Sequence, residues 1–374
     1  MITKEIGPNR HTNFNLAAEI VIVGAGLIGL TIALELHDRG AVVTVVERGY
    51  GLAEASTAAA GMLAVEDPHN APELRPLSQL SLQHYPNFLR RIEELCGIAV
   101  PFQTESTLQY LPDGTTMRLQ ERSIDPRQLA AGLLAAVKMT SIRLLEHTSI
   151  AAIQEMPGQE KPGVMRIQIT GGAEITSKAI LYAAGAWTSE VVTNLCGDAI
   201  PIVPRKGQML RVLLPDTLSL SEVHRSERIY IVPRTRGPQA GSALIGATVE
   251  DAGFDTTTGA EDLARLRTLA AELLPELATE SNAPSIEAWA GLRPSTPDFL
   301  PVLGACSRRG HFIASGHHRN GILQAPATAI VIADLVEGKA PSIDISAFSP
   351  DRFKYGRTNN RKPTAHTRRY SPKA

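Results

Sequence analysis

Cysteine is scarce in this chain. Three occur in 374 residues, Cys96, Cys196 and Cys306, far apart and with no C-x-x-C spacing. They suggest neither a disulfide framework nor a metal site, and fit a reducing cytoplasm. Long apolar runs are also missing: charges interrupt every stretch well before the roughly 20 residues a membrane-spanning helix needs. Met1 to Ala18 is polar, lacks the apolar centre of a signal peptide, and reads as a frayed extension. No internal repeat is found. Nor does one sign of charge dominate, since the net charge is −1. Its distribution is uneven, however. From Pro350 onward eight Lys/Arg face one Asp, so the end of the chain carries +7 and the rest −8. An acidic body argues against nucleic-acid binding. The polar, basic segment 341–374 is expected to be a disordered tail.

What is present begins at Ile20. Ile20 to Val23 is a short β-branched run, as in a strand buried on both faces. Gly24, Gly26 and Gly29 follow as G-x-G-x-x-G, then Leu27 to Asp38 has helical apolar spacing ending before Gly40. Val42 to Val46 is a second buried strand and delivers Glu47 about 20 residues beyond the glycines, where an acid binds ribose hydroxyls. Gly24 permits the turn, Gly26 lets backbone approach a pyrophosphate, and Gly29 lets helix and strand pack closely. The helix N-terminus is suited to phosphate charge. This is a site for the adenosine diphosphate half of a dinucleotide, FAD or NAD.

Other segments return small residues toward the same place: Ser56, Thr57, Ala60, Gly61 and Met62; Ala183 to Trp187 after a buried strand; and Gly316 to Leu323 after a strand at His311 to Ser315. Three returns suit a buried flavin better than a nicotinamide. Between them, Leu77 to Leu95 reads as an amphipathic helix kinked or broken at Pro86, and Phe102 to Leu111 as one strand. Asp125-Pro126 starts a helix. Strands are expected at Ile142 to Ile153, Val164 to Thr170 and Glu174 to Ser177, with a turn at Pro157-Gly158. Further strands lie at Pro201 to Leu214, Ile229 to Pro233 and Ala243 to Val249, with helices at Glu261 to Leu277 and Ala325 to Glu337. The fold class is α/β with an α+β substrate domain. A Rossmann-like FAD-binding domain is assembled from separated segments (19–95, 142–200 and 289–340), and an antiparallel-sheet substrate-binding domain from 96–141 and 201–288.

Gly-Ala-Gly-Leu-Ile-Gly, Thr57 to Leu63, Tyr230-Ile-Val-Pro-Arg234, Gly246-Ala-Thr248, Trp289-Ala-Gly-Leu-Arg-Pro294 and Gly316 to Leu323 with Ala325-Pro-Ala-Thr328 resemble the bacterial glycine oxidases of the D-amino-acid oxidase superfamily. The match runs in order from about Ile20 to Ala340. The resemblance implies non-covalent FAD held by Gly24, Gly26, Leu27, Ile28, Gly29, Glu47, Arg48, Ser56, Thr57, Ala60, Gly61, Met62, Ile150, Gly185, His317, His318, Arg319, Asn320, Gly321, Ile322 and Leu323. It places the substrate carboxylate on Arg293, with Tyr230 beside it and Arg319 as a second arginine facing the substrate. The activity implied is oxidative deamination of glycine, sarcosine or small D-amino acids by hydride transfer from Cα to flavin N5, with O2 as oxidant and hydrogen peroxide as product, in thiamine thiazole biosynthesis. The chain departs from the family at Val249, where Met is common, at Arg228, where His can occur, and in a shorter region between Leu108 and Ser123.

The residues themselves support that chemistry. A buried guanidinium grips a carboxylate through two parallel charge-assisted hydrogen bonds. Arg293, in a glycine- and proline-rich segment, could do this or pair with Asp298 on the surface. With hydride leaving to a flavin, no general base is needed if the amine arrives neutral, and no Ser/His/Asp or paired-carboxylate set is found. His317 and His318 lack clustered partners and read as flavin-loop residues; no metal is expected. The expected protein is cytoplasmic, homo-oligomeric, and independent of membranes and nucleic acid. Two readings remain beside the oxidase: a D-amino-acid dehydrogenase passing electrons to a quinone, and a non-catalytic flavin-binding subunit.

Overall fold

A computed structural model describes residues 15–156 and 163–354. Ile20–Val23 is the centre of a six-stranded sheet ordered 302–305, 311–315, 179–182, 20–23, 43–46, 143–145. Its strands are parallel except for the edge pair 302–305 and 311–315. Alternation sorts its side chains into two cores. Ile20, Ile22, Val43 and Val45 pack under the helices Leu27–Asp38, Arg75–Cys96, Pro126–Lys138 and Gly321–Val336. Val21, Val46, Ile180 and Tyr182 turn the other way, toward a four-stranded sheet of 15–17, 174–177, 165–169 and 150–155. Apolar residues on both faces are what a covered parallel sheet requires.

A seven-stranded sheet runs 285–295, 203–213, 242–246, 230–234, 223–225, 107–110, 116–119. It is antiparallel apart from one parallel pair, 223–225 with 107–110. Ile231, Ile245, Leu210 and Val212 face the amphipathic helix Ala260–Leu273 through Leu266, Leu269 and Ala270. The opposite face carries Tyr230, Val232, Met209 and Leu244 toward Ala60 and Met62 of the first layer.

Several expectations change. The helix Arg75–Cys96 continues through Pro86 without a break. The expected strand 102–111 is two strands in different sheets, Phe102–Thr104 and Thr107–Tyr110, and 142–153 is likewise split into Arg143–Leu145 and Ile150–Glu155. Domain boundaries move as well. The helix Pro126–Lys138, expected with the substrate domain, buries Leu129, Leu133, Ala136 and Val137 in the nucleotide-side core. Ser285–Ser295, expected partly in the cofactor domain, is a strand of the seven-stranded sheet. Asn15–Ala17, expected as part of a frayed extension, is a strand paired with Glu174–Ser177. Ordered chain also continues past 341: Phe348 is buried in the main core and Pro350–Phe353 forms a short 3-10 helix. The turn at Pro157-Gly158 and the segments 1–14 and 355–374 lie outside the described residues.

Candidate active site

The glycine motif builds a cradle by steric necessity. Gly24 has φ +106°, and a Cβ there would lie 2.5 Å from the Ala183 carbonyl oxygen. A Cβ on Gly29 would sit 2.0 Å from the Gly24 oxygen, so Gly29 serves helix–strand packing and does not line the cavity. Gly26 precedes the helix Leu27–Asp38 without any side-chain cap, and the Ser56 hydroxyl accepts from the Leu27 amide at 2.9 Å. Glu47 accepts from the Ala25 and Gly49 amides, both at 2.8 Å, which fixes its carboxylate at the cavity wall. Arg48 lies 4.0 Å over the Trp187 ring.

The loop Ala58 to Leu63 is sewn to both layers. Trp289 donates to the Ala58 carbonyl (3.1 Å), Arg234 to the Ala60 carbonyl (2.9 Å), and the Ile124 amide to the Gly61 carbonyl (2.9 Å). Gly61 is obligatory at φ +89°, since its Cβ would meet the Ile124 carbonyl oxygen at 2.0 Å. A second uncapped helix start, Asn320 before Gly321–Val336, opens on the same cavity. Gly321 and Ile322 thus belong to a helix that begins four residues earlier than expected. The cavity is about 1210 Å³, larger than a drug-sized pocket, with room for a dinucleotide and a small molecule.

Most expected residues line it: Gly24, Gly26, Leu27, Ile28, Glu47, Arg48, Ser56, Ala60, Gly61, Met62, Ile150, Gly185, Tyr230, Arg293 and His317 through Ile322. Two do not. Thr57 turns toward a small crevice beside Asp125 and Arg211, and Leu323 is buried in the helical core.

Arg293 stands within a strand, and no loop separates it from the sheet. Its Nη1 donates to the carbonyls of Lys206 (3.4 Å) and Thr248 (3.2 Å), both long bonds that leave guanidinium capacity unused. The alternative partner Asp298 pairs with Arg352. Two glycines make room. A Cβ on Gly207 would lie 2.2 to 2.5 Å from the Arg293 guanidinium, and one on Gly246 would lie 2.8 Å from the Tyr230 hydroxyl. Burial raises the Tyr230 pKa, with Arg293 opposing, so the phenol stays protonated.

Arg319 differs from expectation in being ion-paired, 2.6 Å from Asp67 Oδ2. Asp67 also accepts from the His69 ring (3.0 Å) and its amide (2.9 Å), and lies 3.8 Å from Arg225. Burial opposes its ionisation, but the His69 hydrogen bond and the two arginines outweigh burial and hold its pKa below the usual carboxylate range. Arg225 is itself 3.0 Å from buried Glu121 and donates to Gln109 at 2.7 Å. This network was not anticipated. Its one legible signal is register, because Arg225 pairs with Tyr230 and therefore shares its face.

The two histidines are neutral. Burial takes His317 down to about pKa 3 and its Nε2 contacts the Thr328 hydroxyl at 3.0 Å. His318 is driven well below its ordinary value by burial, then by Arg293, Arg319 and Arg205, and it bonds the Ser295 hydroxyl.

A parallel-sheet nucleotide cradle sharing one cavity with an arginine-bearing antiparallel sheet defines a dinucleotide-dependent oxidoreductase. The family model described as "FAD dependent oxidoreductase" (DAO) matches residues 19–123 and 116–335, and the chain belongs to that family, with FAD as its cofactor. It is 34% identical over 382 residues to the bifunctional ThiO/ThiG protein of Trichormus variabilis, a match covering 91% of this chain and 56% of that protein. It is 32% identical to a glycine oxidase of Pseudomonas aeruginosa, covering 90% of this chain and 99% of the relative. The chain thus spans about half of its bifunctional relatives and nearly all of the single-function one. The crystal structure of glycine oxidase from Geobacillus kaustophilus superposes with a TM-score of 0.81 at 28% identity, covering 90% of this chain and 99% of that one. Among the described residues no helix is long and apolar enough to cross a membrane.

Proposed function

We propose that this chain catalyses oxidative deamination of glycine and related small amines, sarcosine and small D-amino acids, giving the imine and then the 2-oxo acid, ammonia and hydrogen peroxide. The observation that carries the reading is Arg293, inside the shared cavity and unencumbered by a carboxylate partner, opposite Gly207 and near Tyr230. The FAD held by this cavity would supply a two-electron acceptor for the Cα hydride and a route for those electrons to O2. The chain's own residues do the positioning. Arg293 binds the substrate carboxylate through paired hydrogen bonds, and the Tyr230 hydroxyl adds a third. Arg319, already neutralised by Asp67, acts as a wall and a secondary donor. Neutral His317 and His318 add no charge to the cavity. The starts of the helices Leu27–Asp38 and Gly321–Val336, where Gly26 and Asn320 form no side-chain cap, open on it, suited to the cofactor's phosphates and to negative charge on its ring.

The role we favour is supply of an oxidised glycine unit for the thiamine thiazole, in the cytoplasm and as a homo-oligomer. The relatives joined to a second activity in one chain support the first part. The test is an absorption spectrum of the purified protein followed by peroxide release on glycine, sarcosine and D-alanine. A colourless protein would sink the reading. Slow reoxidation by O2 with fast reoxidation by a quinone would instead make it a dehydrogenase, and a yellow protein inert to every amine would make it a binding subunit.

A further inference from the structure

Two of the three scattered cysteines meet in the fold. Cys196 follows the helix Thr188–Leu195, and Cys306 follows the edge strand Val302–Ala305. Their sulfurs and a carboxylate oxygen of Asp198 all lie within 4.8 Å of one another. Both thiols are buried, and none of these residues lines the cofactor cavity.

A fourth group stands beside the cluster, outside the trio whose ligand atoms lie within 4.8 Å of one another. His311 opens the strand His311–Ser315, is wholly buried, and has its ring beside the Cys196 thiol. Its Nδ1 is 2.9 Å from the Tyr182 hydroxyl, whereas its Nε2 has no hydrogen-bond partner of good geometry among the described residues. An orphaned nitrogen in a dry interior is costly unless something takes its lone pair. Asp198 is held in a similar way: its Oδ2 accepts from the Ser307 amide at 2.7 Å and lies 3.8 Å from the Cys196 sulfur. A ligating imidazole with its second nitrogen pinned, and a carboxylate oriented by a backbone amide, are the outer-shell features of a metal centre.

We propose that Cys196, Cys306, Asp198 and His311 bind a thiophilic divalent cation of the zinc type. Two sulfurs, one imidazole and one carboxylate match the donor preference of that ion, and at Zn–S distances of about 2.3 Å two sulfurs stand about 3.8 Å apart in a tetrahedron. On binding, the sulfurs coordinate as thiolates and the remaining thiol protons leave to solvent. The ion would clamp the helix behind the cofactor cavity to the edge of the parallel sheet.

The test uses the FAD-loaded full chain, reduced, stripped with a chelator and titrated with Co2+. We expect one equivalent bound, with ligand-field absorption to the red of the flavin bands, a sulfur-to-metal charge-transfer band, and proton release. Zn2+ should bleach the cobalt bands and raise Tm. Cys196→Ser and Cys306→Ser should each lose the charge-transfer band or weaken it, and Cys96→Ser should keep it. Wild-type proton release and spectra decide the matter if a serine variant does not fold. Reduced wild type that takes up no cobalt overturns the proposal, as does cobalt bound without a sulfur band. So does a Cys196–Cys306 disulfide as the native state, with no metal uptake after reduction.

Discussion

The sharpest test of the carboxylate handle leaves Arg293 itself untouched. In Gly207→Ala the added methyl would fall 2.2 Å from Nη1, 2.4 Å from Nη2 and 2.5 Å from Cζ of Arg293. The obstructed group is the mobile end of a side chain, so the guanidinium should swing aside while the strand Val203–Leu213 keeps its pairing with Ser285–Ser295. A charge-assisted hydrogen bond contributes about 1.5–3 kcal/mol. Losing the paired geometry should therefore cost about 3 kcal/mol, or roughly two orders of magnitude in kcat/KM. The assay is peroxide release across a range of glycine concentrations, with the flavin spectrum and Tm recorded on the same preparation. KM should rise steeply with the spectrum unchanged. A variant that keeps its flavin and turns over within twofold of wild type would falsify the placement of the substrate carboxylate at Arg293.

Three further outcomes follow from the same geometry. Tyr230→Phe removes one hydroxyl bond and should raise KM several-fold for about 1 kcal/mol, with FAD retained on gel filtration. Gly24→Ala forces a side chain onto backbone at φ +106°, so it should yield protein purified without flavin or none at all; a yellow, stable variant would refute the cradle. Asp67 has a folded pKa below its unfolded value of about 3.9, so its contribution is present above that pH and drains away as pH falls below it. The Tm gap between wild type and Asp67→Asn should accordingly be widest near neutrality and narrow below about pH 4; a gap independent of pH would remove Asp67 from the charge network.

The nucleotide cradle was legible because its determinants are local: a β-branched run, three glycines, a helical period and an acid at a fixed distance. That Arg293 and Tyr230 would stand at the same cavity was legible through the family resemblance of their motifs. What escaped depends on contacts between distant segments. Arg319 meets Asp67 across some 250 residues, and nothing near either announces the pair. Thr57 and Leu323 sit inside cavity-lining motifs yet point away, since a single turn of helix rotates neighbours to opposite sides. Pro86 suggested a break, but tertiary packing of Tyr85, Leu89 and Ile92 carries the helix across it. Cys196 and Cys306 looked unrelated because the chain between them builds five of the seven strands of the antiparallel sheet.

The order of strands in the parallel sheet has a consequence for biosynthesis. Ile20–Val23 leaves the ribosome early, but its neighbour on one side, Ala179–Tyr182, is translated about 160 residues later, and the next strand, His311–Ser315, follows some 130 residues after that. The cradle therefore waits with one edge unpaired while about 160 further residues are made, a topology that folds slowly and tempts aggregation. Cofactor capture belongs to the last stage, once Gly321–Val336 has emerged and docked. Expression yield should then track the supply of free flavin during translation more closely than the stability of the finished fold.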